Sequence, residues 1–130
     1  MFSFQKEERL KSRKVIGQLF QKGHSFTSFP IRFIWVKMDA PLSDFPFQMS
    51  LSVPKRKFPS AVDRNRLRRR IREAYRLNKN TLYEKFENQD VQFGLMLIYV
   101  AKEAMTYQEI ENGIQKGFKK LAQQIEDSQR

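Results

Sequence analysis

Residues 55–79 read KRKFPSAVDRNRLRRRIREAYRLNK, with arginine at 64, 66, 68, 69, 70, 72 and 76. No Pro or Gly interrupts the chain from Ala61 to Lys79, and Arg, Leu, Glu and Ala are good helix formers. Ser60 offers an N-cap, and Asp63 supplies the acidic half of a capping box. At about 100° per residue, Leu67, Ile71 and Ala74 share one narrow face, while Asn65, Arg68, Arg69, Arg72 and Arg76 lie opposite. The stretch therefore predicts a helix to about Leu77. One side docks on a core and the other presents guanidinium groups at roughly one-turn intervals.

Arginines this close repel one another in water, and only Asp63 and Glu73 offset them locally. Such a face costs stability unless an anion compensates, and a phosphate backbone does so through paired N–H donors. The charge is nearly all of one sign and mostly Arg, which favours nucleic-acid binding over an ordinary solvated face. Asn65, between Arg64 and Arg66, adds an amide that can donate and accept at a sugar or base edge.

The totals point the same way. The 130 residues suit one domain, 1–130, with a single core. Net charge is +11, from 25 basic and 14 acidic residues. Apolar residues make up 40%, including 12 Phe, so this is no disordered basic tail. A folded domain this basic calls for a polyanion. The absence of Cys excludes thiolate catalysis and cysteine zinc sites. The one histidine, His24 beside Gly23, reads as a loop residue rather than a general base. The start MFSFQKEERL lacks a signal-peptide core, and no run approaches the roughly 20 apolar residues needed to span a bilayer. A cytoplasmic protein without membrane attachment is expected.

Outward from the arginine stretch, residues 1–11 read as extended or loosely ordered. Ser12 caps a short predicted helix over 13–22, with Ile16, Leu19 and Phe20 on its apolar face and Gly23 as a left-handed C-cap. Phe26 to Lys37 reads as a strand interrupted at Pro30, with β-branched and aromatic Ile31, Phe33, Ile34, Trp35 and Val36 and basic Arg32 and Lys37 interleaved. Asp39 to Pro46 is a loop making a long hairpin connection. Phe47, Met49, Leu51 and Val53 alternate with Gln48, Ser50 and Ser52, which predicts a strand with one apolar and one small polar face. Asn78 to Asp90 is polar, with a helical turn at Leu82–Phe86. Val91 to Ala101 is apolar on both alternations and suits a central strand covered on both sides. Thr106 and Glu109 form a capping box before a stripe of Ile110, Ile114, Phe118, Leu121 and Ile125.

The order α-β-β-(β)-α-β-α predicts an α+β fold, a small, mostly antiparallel sheet with helices against it. If the strands flanking the arginine helix are parallel neighbours they form a βαβ unit, right-handed in about 98% of cases on physical grounds.

Protein-based nuclease chemistry needs clustered carboxylates or an acid–base pair. Here the acidic residues are scattered, and no Gly-rich phosphate loop exists. The chain therefore reads as one that binds and positions RNA. An independent nuclease is disfavoured; a structural RNA-binding protein, such as a ribosomal protein, stays open.

Arg64-Asn65-Arg66, followed by Leu67-Arg68-Arg69 and Arg72-Glu73-Ala74-Tyr75-Arg76, resembles the RNR motif of the bacterial ribonuclease P protein family. Ala61-Val62 upstream, the Leu51-Ser52-Val53 strand end, the basic pair Lys55-Arg56, the segment from Gln18 to Gly23 and the Lys102-Glu103 loop extend the likeness over most of the chain. One departure is visible: the family usually has a glycine in the loop after the basic pair, where this chain reads Lys57-Phe58-Pro59-Ser60.

The resemblance implies an accessory protein subunit of an endoribonuclease that matures the 5′ ends of tRNAs. It implies a left-handed βαβ crossover. Its partners would be the catalytic ribonuclease P RNA, which would hold the catalytic Mg2+, and precursor tRNA, with a monomer in a one-to-one complex. Lys55, Arg56, Arg64, Asn65, Arg66, Arg68, Arg69, Arg72 and Arg76 would bind RNA. The single-stranded 5′ leader would enter a cleft at Phe20, with Arg32, Phe33, Ser50 and Ser52 on the neighbouring sheet. Phe20 also reads as plain core packing.

Overall fold

The computed structural model describes residues 4–87 and 89–129. A 3-10 turn at Lys6–Glu8 precedes α1 (Arg13–Lys22), β1 (His24–Ser28), β2 (Ile31–Lys37) and β3 (Phe47–Ser52). The arginine helix is α2 (Ala61–Tyr83), followed by β4 (Phe93–Tyr99) and α3 (Tyr107–Ser128). The sheet order is β1-β2-β4-β3, antiparallel except for the parallel β3–β4 pair that α2 connects. This is the expected α+β fold with the bracketed strand present, because the turn at Phe29-Pro30 divides the first predicted strand into a hairpin.

The two-sided apolar pattern of β4 has its counterpart in two cores. On one sheet face, Phe33 and Trp35 of β2 and Leu95, Leu97 and Tyr99 of β4 lie in one buried cluster with Leu67, Ile71 and Ala74 of α2. The α3 stripe Ile110, Ile114, Phe118, Leu121 and Ile125 joins that cluster. On the other face, Val15 and Leu19 of α1 and Leu10 cover Ile34, Val36 and Met96. Each such aliphatic side chain contributes about 1.5–3 kcal/mol on burial. Here the sum holds three helices to one sheet.

Several local expectations need correction. The 39–46 loop does not close a hairpin, because β4 inserts between β2 and β3. His24 is no loop residue: it opens β1 and stacks on Trp35 with ring centroids 4.4 Å apart. Gly23 ends α1 in extended rather than left-handed geometry, at φ −68° and ψ 146°. Glycine is required there by close approach, since a Cβ would sit 2.3 Å from the Leu19 carbonyl oxygen and 2.7 Å from Ile34 Cγ2. Ser60 does cap α2, accepting from the Asp63 amide at 3.4 Å. Asp63 does not complete a capping box, whereas the box expected between Thr106 and Glu109 at α3 forms. α2 runs past Leu77 to Tyr83 because its buried stripe continues through Lys79, Leu82 and Tyr83.

Candidate nucleic-acid interface

The predicted RNA-binding residues divide by what holds them. Arg64 Nη1 donates to the carbonyls of Phe58 and Pro59, at 2.9 and 2.8 Å, and so ties the preceding loop to the first turn of α2. Arg76 pairs with Glu73 one turn back, and that hydrogen bond holds the Glu73 carboxyl below the usual carboxylate range. By contrast, the side chains of Lys55, Arg56, Asn65, Arg66, Arg68, Arg69 and Arg72 make no hydrogen bond or ion pair among the described residues. All but the half-buried Arg68 are exposed. Arg70 is used internally. Its Nη1 donates to the Met105 carbonyl at 2.6 Å and pins α2 to the segment before α3.

The loop that lacks the family's glycine needs none. The amides of Lys57 and Phe58 both donate to the Pro54 carbonyl, at 3.2 and 3.1 Å. Phe58 is buried, edge-on to Tyr99 at 5.6 Å. Lys57 Nζ donates to the Val100 carbonyl at 2.9 Å. No described residue other than glycine has a positive φ, and no described glycine has one either. An aromatic anchor and a lysine clamp thus make the turn, and Lys55 and Arg56 project from it unpaired.

The sheet face under α1 presents the other predicted group. Strand register aligns Thr27, Arg32, Ile98 and Ser52 in one row across all four strands. The next row is Ile34, Met96 and Ser50; α1 covers Ile34 and Met96, which are buried, and Ser50 lies beyond it on the edge strand. The Thr27 row lies open: Thr27 and Arg32 are exposed, and Ile98 and Ser52 are half-buried. Arg32 Nη2 donates to Ser25 Oγ at 3.4 Å and lies along this surface.

Phe20, on α1, is 64% exposed and so is not core. It follows Ile16 by one turn, and Ile16 packs on the α1 cluster beside the sheet. Arg32, Ser50 and Ser52 therefore share the α1 face of the sheet, as expected of a cleft. Phe33 does not. It points to the opposite face, wholly buried, stacked on Phe26 at 4.9 Å and edge-on to Phe118 at 6.3 Å. Consecutive strand residues face opposite ways, so Arg32 and Phe33 cannot both line one cleft. The same alternation would have nominated Thr27 and Ile98.

Among the described residues, no group of three or more His, Asp or Glu side chains gathers to hold a metal ion, and no helix is long and apolar enough to cross a membrane.

The profile of the family described as Ribonuclease P matches residues 4–122. The chain belongs to the ribonuclease P protein family. A ribonuclease P protein component from Porphyromonas gingivalis is 31% identical over 127 residues, covering 98% of this chain and 92% of the relative. One from Syntrophus aciditrophicus is 40% identical over 78 residues, 60% of this chain and 61% of the relative. Among solved structures, the RNase P protein of Thermotoga maritima superposes with a TM-score of 0.67 at 20% identity, over 87% of this chain and 96% of that one. The Staphylococcus aureus RNase P protein does so with a TM-score of 0.61 at 23% identity, over 88% and 94%. These two share the α+β fold. The family match does not favour the ribosomal-protein reading.

Proposed function

We propose that this chain is the protein subunit of a ribonuclease P ribonucleoprotein. It binds the catalytic RNA through Lys55, Arg56 and the arginine face of α2. It receives the 5′ leader of precursor tRNA across the open sheet face at Phe20, Arg32, Ser50 and Ser52. The RNA subunit carries out the cleavage and holds the Mg2+; the protein raises the local concentration of substrate and fixes its path. The complex is one-to-one and acts in the cytoplasm.

The observation that carries this reading is the row of unpaired basic residues on and beside α2. Arg66, Arg68, Arg69 and Arg72 repel one another within about two turns of helix and have no carboxylate partner among the described residues. A rigid cationic stripe of this kind is neutralised by a phosphate backbone, whose bound counterions are released on association.

The test is reconstitution. Purified protein alone should leave precursor tRNA intact. Addition of the ribonuclease P RNA from the same genome should give 5′ cleavage at a magnesium concentration where the RNA alone is slow. Protein freed of RNA and of contaminating nuclease that still cut at the mature 5′ end would overturn the assignment of chemistry to the RNA. Failure to bind or stimulate that RNA would overturn the subunit assignment.

A further inference from the structure

A second basic surface lies on the other side of β3 from the open row. The N-terminal strap, β3 and α2 enclose a groove of about 420 Å3, with Arg9 and Lys11 on one wall, Arg68 and Arg72 on the other and Ser50 on the floor. Arg68 and Arg72 are one helical turn apart and therefore neighbours. Arg9 is extended, at φ −86° and ψ 127°, and Leu10 is buried. Arg9 and Lys11 flank Leu10 and so turn to the side away from the core. The Arg9 guanidinium lies 5.8 Å from the Phe4 ring centroid. Among the described residues none of these four cations has a carboxylate within ion-pair distance.

The strap is held in this place by charge buried in the core. Glu8 is wholly buried, and both its carboxylate oxygens accept from Lys79 Nζ, at 2.6 and 2.7 Å. Tyr83 Oη and the Gln5 amide donate to the same carboxylate, at 2.7 and 3.0 Å. The Glu7 carbonyl accepts from Gln48 Nε2 at 3.1 Å, and the Leu10 amide donates to the Met49 carbonyl at 3.0 Å. A buried ion pair adds little net stability over an apolar pair of the same shape, but separating it leaves an uncompensated buried charge. Its effect here is to fix where Arg9 and Lys11 stand relative to Arg68 and Arg72.

We propose that this groove is a phosphodiester-binding site for RNA, with Arg9 and Lys11 as contacts and Glu8 as the residue that positions them. The inference rests on the RNA-binding reading above and deepens it. RNA backbone is the occupant that fits: four converging cations require more than one negative charge, and the groove continues into the exposed arginines of α2. Ser50 lies at its floor and borders the open sheet face, so one strand of RNA can run from the arginine helix onto the sheet.

The test measures the affinity of the full chain for the cognate ribonuclease P RNA as a function of KCl. Arg9→Ala/Lys11→Ala alters only exposed side chains. It should lower the log–log salt slope by about 1.4–1.8, at about 0.7–0.9 per lost phosphate contact. Glu8→Gln should lower the slope comparably without removing any cation. It should add nothing further in the Arg9→Ala/Lys11→Ala background, whereas a general loss of fold would weaken that variant again. If Glu8→Gln does not fold, the double variant alone decides. An unchanged slope for Arg9→Ala/Lys11→Ala, beside a reduced one for Arg69→Ala, overturns this site and leaves the subunit reading standing. Binding of inorganic phosphate at Arg9 and Lys11 with that same unchanged RNA slope assigns a small-anion site instead, and also overturns it. No RNA binding by the wild type overturns both readings.

Discussion

Replacing Phe20 by Ala separates a stacking surface from a core residue, because the structure supplies an internal control. Phe20 is 64% exposed, so its truncation should change unfolding free energy by no more than about 0.5 kcal/mol. Phe33 is wholly buried between Phe26 and Phe118, so Phe33→Ala should cost about 3–5 kcal/mol. If a leader base stacks on Phe20, removing the ring should cost about 1–3 kcal/mol of precursor tRNA binding, or roughly 5- to 150-fold in Kd. Mature tRNA carries no leader and should bind as before. Phe20→Leu keeps apolar surface but not a flat face and should behave like Phe20→Ala. Binding of both tRNAs to the reconstituted complex, followed by fluorescence anisotropy, together with urea unfolding of the free protein, gives every quantity needed. Equal weakening of both tRNAs, or a large drop in the Phe20→Ala unfolding midpoint, would refute the reasoning.

The remaining expectations concern how α2 and α3 are held. Gly117→Ala would place a Cβ 2.2 Å from Phe33 Cζ, a ring with no room to retreat from Phe26; a loss above about 1–3 kcal/mol is expected as a lower urea midpoint at unchanged m value. Arg64→Ala removes two hydrogen bonds to loop carbonyls and should cost about 1–2 kcal/mol of stability as well as RNA affinity. Arg69→Ala, with no partner among the described residues, should leave stability within about 0.5 kcal/mol and lower the RNA salt slope by about 0.7–0.9; equal stability losses for the two variants would contradict this division.

What could be read from the chain alone was whatever its physics made local. The period of β3 and the apolar stripe of α3 are carried in nearby residues, and both elements appear where expected, with Phe47, Met49 and Val53 in the main core; the polar side of β3 is not uniformly open, since Gln48 is buried. The core side of α2, Leu67, Ile71 and Ala74, follows from spacing alone. Phe33 faces the core, and the period of two that places it opposite Arg32 already says so. Which arginines are spoken for was not legible, because the acceptors for Arg64 and Arg70 are backbone carbonyls of loops whose course no side-chain pattern reveals. The Glu8–Lys79 pair spans 71 positions, and only one hint pointed to it. Lys79 continues the buried stripe of α2, where a cation needs a partner inside the protein.

The position of β3 explains how a small sheet can border both the open row and the basic groove. As an edge strand it pairs with β4 on one side only, and the N-terminal strap meets its other side at the Arg9–Met49 bridge. Its inward residues Phe47 and Met49 belong to the main core, so the strand is rigidly placed. Its other face carries Gln48, Ser50 and Ser52, and these have different duties. Gln48 is buried and holds the strap through the Glu7 carbonyl. Ser50 floors the basic groove, and Ser52 lies in the open row with Arg32. A large apolar residue at either serine would fill the space that a sugar–phosphate chain requires, and a carboxylate would repel it. Small hydroxyls leave the space open and can still donate to a phosphate oxygen. The alternation that builds the core on one side of β3 thus keeps the other side shallow, between two sets of cations.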